Sequence, residues 1–288
     1  MSSRNLKVED LTPNIGARVS GIDISDRLSD GAIKEIEEVL IARKVIFFED
    51  QHFTTTEYRK FARRFGPLYT HPVYKGTKKE PAIAILHTSA KTPTDNDNWH
   101  TDVTFRPEPV KYTMLYAKKL PPQGGDTLWS NTELAFQRLS PPLQNMLRGL
   151  HAVHNFMRSF PPDLIQSKKA GAKYKKARES NPPVLHPVVR THPVTGNECL
   201  YVNDGFTASI NELSRQENDY LLPFLRMYIQ RPEFVVRWKW KVNAFAIWDN
   251  RSTQHYAVND YTADRIMHRA TVSGDVPYFR RKKIRRAA

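Results

Sequence analysis

Residues 98–105, NWHTDVTF, place His100 and Asp102 two positions apart between large apolar residues. In a β-strand, side chains two positions apart project from the same face, so this spacing predicts that both point to one side of a strand. A site of two histidines and one carboxylate leaves coordination positions open, which suits non-haem Fe(II) and its oxygen chemistry. The pair alone is weak evidence, because a chain with ten histidines contains roughly one His-x-acid match by chance.

Segments typical of short β-strands occupy most of the chain around this stretch. They are ARVSGIDI, KVIFFED, AIAILHT, VKYTMLYA, DTLWS, VVRTHPVTGNECLYVN, EFVVRWKW, NAFAIWDN and RIMHRATVSG, and the sixth is predicted to be a hairpin that turns at Thr195 and Gly196. No regular alternation of strands with helices is present, which favours a sandwich or jelly roll. The pattern therefore predicts a mainly β fold with flanking helices, either a sandwich or a jelly roll, and a jelly roll or cupin can hold a metal in its interior.

Helix patterns are confined to four segments, SDGAIKEIEEVLIARK, TTTEYRKFARRFG, NTELAFQRLSPPLQNMLRGL and SRQENDYLLPFLRMYIQ. Apolar residues recur every three or four positions in the first two, which predicts helices packed on a sheet. The third is predicted to be two short helices separated by its prolines. In the fourth, Ser214 and Glu217 have capping-box spacing, and Pro223 is expected to kink the helix.

The net charge of +14 raises the possibility of a nucleic-acid-binding protein, so its distribution matters. The segment from Lys168 to Arg178 and the tail from Arg280 to Arg286 each contain six Lys or Arg and no acid. Without these 12, the 44 basic residues fall to 32, against 30 acids, so the remaining body is nearly neutral. We expect a single domain over residues 1–279 and a basic, disordered tail over 280–288, with the first segment a solvated helix or loop.

Targeting and redox features are few. The start of the chain lacks the apolar core of a signal peptide, and no apolar run approaches 18 residues, so we expect a soluble, cytoplasmic protein without membrane association. Cys199 is the one cysteine and cannot form an internal disulfide. It is expected to be a small apolar residue that fills space in a strand.

The remaining site residues are predicted from AIWDNRSTQHYAVNDYTADRIMHRATVSGD. His255 follows a strand and a turn, as an accessible third ligand would. Arg265 and Arg269 share one face of the last strand, and a buried guanidinium must meet an anion because an unpaired buried charge is very costly. Their partners could be an anionic cosubstrate and an anionic substrate; alternatively, they could be protein carboxylates such as Asp249 and Asp264.

The strings NDNWHTDVTF, LPPQGGDTLWSN, HPVVRTHPVTG, AIWDNRSTQHYA and RIMHRAT resemble, in this order, the taurine dioxygenase family of Fe(II)- and 2-oxoglutarate-dependent oxygenases. The resemblance runs from IGARVSGIDIS to about Pro277 and omits the two basic segments. It implies a fold that is mainly β with flanking helices, around a double-stranded β-helix (jelly roll, cupin-like) core. It implies that His100, Asp102 and His255 are the catalytic iron ligands. It also implies that Thr127 and Arg265 hold the distal carboxylate of 2-oxoglutarate, with Trp248 near the site and molecular oxygen as the second cosubstrate.

The resemblance also implies a substrate site for taurine. Arg269, His71 and the backbone amide of Val103 would bind the sulfonate, Tyr74 and Asn96 would lie near the amine, and the apolar wall would comprise Phe105, Phe160 and Phe206. Hydroxylation at the carbon that bears the sulfonate would release sulfite and aminoacetaldehyde. The alternative substrates are another alkanesulfonate or an alkyl sulfate ester. A third hypothesis is a polyanion-binding protein that acts through its tail. Relatives form dimers or tetramers, so a homo-oligomer with no specific nucleic-acid partner is expected.

Overall fold

The computed structural model describes residues 6–71, 73–74, 76–77, 79–92, 96–160 and 171–280. In these ranges the α-helices are α1 (Asp30–Arg43), α2 (Thr55–Arg63), α3 (Thr132–Gln137), α4 (Pro141–Leu147), α5 (Gly171–Glu179) and α6 (Arg215–Ile229). The strands are β1 (Lys7–Asp10), β2 (Ala17–Ser20), β3 (Val45–Phe48), β4 (Leu68–Tyr69), β5 (Ala84–Thr88), β6 (Val110–Lys119), β7 (Thr127–Asn131), β8 (His151–His154), β9 (Val184–Pro187), β10 (Val189–Thr191), β11 (Glu198–Leu200), β12 (Thr207–Ile210), β13 (Val235–Trp238), β14 (Phe245–Asp249), β15 (Thr253–Ala257) and β16 (Arg265–Ser273). None of the helices in this part of the chain is both long and apolar enough to cross a bilayer.

Two sheets build the body of the fold. The larger has the strand order β1-β2-β3-β14-β6-β16-β4, with β5 also paired to β16, and the smaller has the order β13-β7-β15. Two further sheets, β10-β11 and β12-β8-β9, lie outside these two. Apart from the parallel pair β2-β3, the pairings are antiparallel. The prediction of a mainly β jelly roll with flanking helices is confirmed.

Strict alternation along β3 and β14 separates two cores. Phe47 of β3 and Trp248 of β14 face the smaller sheet, where they pack with Trp129 and Trp238. The alternate residues of the same strands face α1 and α2 and pack there with Ile36, Leu40, Tyr58 and Phe61. Because side chains in a strand alternate between faces, one strand serves both the barrel interior and the helical layer.

The predicted helices form, and their caps explain their bounds. The Thr54 and Ser214 side chains each accept from the amide three residues ahead, and Glu57 and Glu217 accept from the capping residues in return. α6 continues through Pro223. The hairpin of β10 and β11 forms at the predicted turn, where Gly196 has a φ of +70°.

Other local expectations differ from the structure. Residues 98–105 do not form a strand: His100 makes one isolated bridge, and a turn follows it. Six short strands without clear alternation have no counterpart among the predicted segments, namely β1, β4, β8, β9, β12 and β15, the strand that carries His255. The first basic segment forms α5 from Gly171 onward, while residues 168–170 and the predicted tail after Arg280 lie outside the described residues.

Candidate active site

The two histidines of the site are brought together by the backbone. The amide of His100 donates to the carbonyl of His255 (3.0 Å), and the amide of His255 donates to the carbonyl of His100 (2.8 Å). His255 lies on β15, a strand of the smaller sheet, so this bridge joins the 98–105 stretch to that sheet. The ring centroids of the two histidines are 4.1 Å apart as a result.

A turn places Asp102 beside the histidines. Val103 has a φ of +60°, a left-handed conformation that is rare for a β-branched residue. The turn is anchored on both sides: Thr101 donates from Oγ1 to the carbonyl of Thr253, and the amide of Arg106 donates to the carbonyl of Val103. The expected alternation of a strand is therefore replaced by a strained turn with the same outcome, because both ligand side chains still face one point.

The candidate metal ligands of the site are His100, Asp102 and His255. Each offers one ligand atom, these atoms lie within 4.8 Å of one another, and all three residues are buried. The carbonyl of Asn98 lies 2.8 Å from Nδ1 of His100, so this nitrogen carries the hydrogen and Nε2 is left as the ligand. Two imidazole nitrogens and one carboxylate oxygen are a donor set that fits a divalent iron ion.

Charge in this cluster favours the metal-binding protonation states. Burial lowers the pKa of His255 to about 3, with His100 acting in the same direction, so its ring is neutral. Burial opposes the charge of Asp102, but the charge of Arg269 and a hydrogen bond from Thr113 lower the pKa of this carboxyl below its usual value. A neutral imidazole and an ionised carboxylate are the forms that coordinate metal ions.

Two residues that were missed by the sequence analysis hold Asp102 in place. Thr113 on β6 donates from Oγ1 to Oδ2 of Asp102 (2.7 Å), and Asn250 donates from Nδ2 to Oγ1 of Thr113 (2.8 Å). Oδ1 of Asn250 accepts from the amide of Asp102 (3.2 Å) and from Nε1 of Trp248 (3.1 Å). Asn250 lies within the quoted string AIWDN, but nothing in the sequence indicates that Thr113 is its partner.

Arg265 begins β16 and is buried, and its Nε and Nη2 have no hydrogen-bond partner among the described residues. Burial lowers the pKa of Arg265, yet a guanidinium remains charged in proteins. Gly125, with a φ of +74°, makes room for it, since a Cβ there would lie 3.1 Å from Cδ of Arg265. Two buried, unsatisfied donors on one guanidinium fit a carboxylate that comes from outside the chain.

The two carboxylates considered as alternative partners for the arginines, Asp249 and Asp264, pair with other residues. Asp249 accepts from Arg251 and His192, and the exposed Asp264 pairs with Lys119 and His87. Arg269 is also buried, its Nη1 lies 3.5 Å from Oδ1 of Asp102, and its guanidinium lies 4.8 Å from the ring centroid of Tyr74. Neither arginine therefore pairs with Asp249 or Asp264, but Arg269 does have a protein carboxylate as a partner, Asp102.

Two adjoining cavities contain most of the predicted site. The larger, of about 370 Å³, is lined by Thr127, Trp248, His255 and Arg265, and also by Tyr74, Asn96 and Arg269. The smaller, of about 20 Å³, is lined by the same Tyr74, Asn96 and Arg269 and also by His71, His100, Asp102, Val103, Phe160 and Phe206. Phe105 lines neither; it is fully buried, and its ring packs 5.1 Å from that of Phe206.

Comparison with known proteins agrees with this geometry. Residues 7–271 match the family model described as taurine catabolism dioxygenase TauD, TfdA family. The chain is 36% identical to an α-ketoglutarate-dependent sulfate ester dioxygenase of Pseudomonas putida, over 94% of this chain and 91% of that protein. It is also 36% identical to an α-ketoglutarate-dependent sulfonate dioxygenase of Saccharomyces cerevisiae, over 89% of this chain and 63% of that protein.

A solved structure described as a taurine dioxygenase from Burkholderia xenovorans superposes with a TM-score of 0.81 at 34% identity, covering 95% of this chain and 91% of that chain. Such proteins depend on Fe(II), 2-oxoglutarate and oxygen, and the buried His–Asp–His cluster fits that requirement. The chain belongs to the TauD, TfdA family and is a 2-oxoglutarate-dependent dioxygenase.

Proposed function

We propose that this dioxygenase oxidises the carbon atom next to the sulfur-containing group of a small sulfonate or sulfate ester. The observation that carries the proposal is the pair of buried guanidiniums on β16, Arg265 and Arg269, which line one cavity beside the metal-ligand candidates. Among the described residues that line the two cavities, Asp102 is the sole carboxylate. Two buried cations beside a single acid are suited to two anions, the cosubstrate and the substrate.

The cosubstrate would bind at Arg265 and Thr127. Thr127 accepts at Oγ1 from Nε1 of Trp240 (2.9 Å), so its own hydroxyl hydrogen is available to a carboxylate. Nε and Nη2 of Arg265 would donate to the same group in a bidentate pair. This arrangement would hold the distal carboxylate of 2-oxoglutarate, while Trp248, whose ring centroid lies 4.8 Å from that of His255, would close the side of the site.

His100, Asp102 and His255 would hold the Fe(II). When bound, iron and 2-oxoglutarate supply the oxidation of the substrate by oxygen, with release of succinate and carbon dioxide. The role of the protein in this reaction is to orient the substrate carbon and to exclude water.

The anionic group of the substrate would bind at Arg269, His71 and the amide of Val103. Nδ1 of His71 accepts from the amide of Val73 (3.1 Å), so in the neutral ring the hydrogen lies on Nε2, a donor for an anion. Phe160 and Phe206 would form the apolar wall, with Phe105 behind them. Hydroxylation at the carbon that bears the group gives a product that breaks down to an aldehyde and either sulfite, from a sulfonate, or sulfate, from a sulfate ester.

Taurine is the sulfonate that the sequence favours, since Tyr74 and Asn96 line both cavities and would face its amine. A second candidate, a sulfonate or sulfate ester with an uncharged tail, is favoured by the contacts of Tyr74. Its ring face already meets Arg269 at 4.8 Å, which places a cation where the ammonium of taurine would need an electron-rich surface. The similarity of this chain to sulfate ester and sulfonate dioxygenases supports this second candidate as well as it supports taurine.

The test is product release by the purified protein with Fe(II), 2-oxoglutarate and oxygen, and then with each omitted in turn. Taurine should release sulfite, and hexyl sulfate should release sulfate, only in the complete mixture; the ratio of the two kcat/KM values chooses between the candidates. Arg269→Met should lose at least a hundredfold in kcat/KM. His268→Gln, next to it on β16 but on the other face, should stay within twofold. If no sulfonate or sulfate ester gives succinate above the background without substrate, the proposal is wrong.

We also propose that residues 1–279 form one catalytic domain, that the protein is cytoplasmic, and that it is a homo-oligomer. Deletion of residues 280–288 should leave turnover intact, whereas His100→Ala should abolish it. The polyanion-binding hypothesis predicts the opposite, namely that the tail carries the activity and that His100 does not matter.

A further inference from the structure

The basic segment that lies outside the sequence resemblance forms α5, and this helix has two different faces. Lys175, Lys176 and Arg178 are exposed, whereas Ala177 is buried and Tyr174 is partly buried. Tyr174 and Ala177 are three positions apart, so they lie on the same side of the helix. The helix therefore presents these three charges to solvent and the side with Tyr174 to the protein.

That inner face packs on the apolar cluster at the predicted substrate site. Ala177 belongs to the cluster that contains Val103, Phe105, Phe160 and Phe206, and Tyr174 packs against it. The ring centroid of Tyr174 lies 5.9 Å from that of Phe160. α5 is thus part of the packing around the anion-binding residues.

Tyr174 also lines the larger cavity, together with Tyr74 and Leu86. Leu86 is paired with Met267 of β16, two positions from Arg269, so its side chain lies on the same face of the sheet as Arg269. Arg269 lines both cavities, so an anion bound to it stands at their junction. The smaller cavity, at about 20 Å³, has room for about one water molecule. The rest of a substrate held by Arg269 must therefore extend into the larger cavity, whose lining includes the aromatic Tyr174 and the aliphatic Leu86.

We propose that Tyr174 is a specificity-determining residue, and that with Leu86 it selects sulfonates or sulfate esters with an unbranched, uncharged hydrocarbon tail. This inference rests on the proposed function, because it requires that Arg269 holds the sulfur-containing anion. Each methylene buried against such a wall improves binding roughly fourfold. KM therefore falls with tail length until the cavity of about 370 Å³, which is shared with the cosubstrate, is full.

The experiment measures KM and kcat for linear 1-alkanesulfonates and alkyl sulfates from two to ten carbons. The variants are Tyr174→Ala, Tyr174→Phe and Lys176→Ala, the last on the exposed face of the same helix. Tyr174→Ala should raise KM about tenfold at the preferred length and move the optimum to longer tails, with kcat for the two-carbon substrates and KM for 2-oxoglutarate within twofold of the wild type. Tyr174→Phe and Lys176→Ala should keep the wild-type profile.

Other results overturn the inference in distinguishable ways. If Tyr174→Ala changes KM by one factor at every length, the residue supports the fold and does not select the tail. If Tyr174→Phe changes the KM profile as Tyr174→Ala does, the hydroxyl group of Tyr174 and not its apolar ring determines the preference for tail length. If the wild type converts taurine well and every uncharged tail poorly, the assigned substrate class is wrong while the proposed function stands. If the wild type converts no member of either series nor taurine, the proposed function itself fails.

Discussion

Arg251 and Arg265 are both buried and lie fourteen positions apart in the sequence, yet their surroundings are opposite. Arg251 donates from Nε and Nη2 to the two carboxylate oxygens of Asp249, at 2.8 and 2.7 Å, and also reaches the hydroxyl of Tyr112. Arg265 keeps Nε and Nη2 without an acceptor among the described residues. A guanidinium that the chain satisfies holds the fold together, whereas one that it leaves unsatisfied is arranged for an acceptor from a ligand.

Asp249→Ala should have the largest effect on stability. The substitution leaves Arg251 buried without its partner, so the free energy of unfolding should fall by about 3–5 kcal/mol in urea denaturation. Asp264→Ala, which removes an exposed pairing with Lys119 and His87, should cost less than about 1 kcal/mol. Equal losses in the two variants would contradict the structural role assigned to the Asp249–Arg251 pair.

The pH dependence sharpens this prediction. Arg251 and His192 hold the pKa of Asp249 far below its usual range, although burial opposes the charge. A depressed carboxyl pKa stabilises the fold fully above the pKa of the unfolded chain, near 4, and this contribution is lost as the pH falls below it. The stability difference between wild type and Asp249→Ala should therefore narrow between pH 5 and pH 3.

Arg265→Met should behave in the opposite way. The ligand-free protein should keep its stability or gain some, because a buried charge without an acceptor is removed. In the wild type with metal bound, 2-oxoglutarate at a hundred times its Kd should add about 2.7 kcal/mol, and this increment should vanish in the variant. Thermal unfolding with and without 2-oxoglutarate measures both effects. Arg269→Met is the matched control and should retain the increment; a large loss of ligand-free stability in Arg265→Met would contradict the contrast with Arg251.

The hydrogen bonds around Asp102 should have a smaller effect, on metal affinity. Thr113→Val and Asn250→Ala each remove hydrogen bonds that orient this carboxylate. The affinity for Fe(II) or Co(II) should therefore fall about 10- to 100-fold in a direct titration. Thr271→Val is the matched control, since it also removes a hydrogen bond from a buried threonine on a strand, but to the carbonyl of Tyr69. Unchanged affinity in both site variants would show that the turn alone positions Asp102.

The strained turn at Val103 should give the smallest effect. Val103→Ala removes the two γ-methyl groups and Val103→Gly removes the Cβ as well, but only glycine accepts a φ of +60° without strain. We expect the glycine variant to be more stable than the alanine variant by about 1 kcal/mol, the reverse of the usual order. Urea denaturation of the two variants measures the difference, and a less stable glycine variant would show that the turn is not strained.

Local physics explains what could be predicted from the sequence. The helices α1, α2 and α6 could be predicted because their N-cap residues, Ser29, Thr54 and Ser214, and their apolar spacing are features of a few neighbouring residues. The turn at Gly196 and the alternation of β14 are equally local. The family resemblance also depends on short strings, so His100, Asp102 and His255 could be named as ligands before any of their contacts were known.

Only the tertiary structure determined how these residues meet. His100 and His255 are paired across 155 positions of the chain, and Thr113 reaches Asp102 from another strand, so no local pattern reveals either contact. The structure also replaced the expected strand at Asp102 with a turn and placed Tyr174 of the basic segment in the cavity wall. The physical reason is the range of the interactions: caps and periodicity act over one or two turns, whereas burial, ligand geometry and charge pairing depend on segments that only folding brings together.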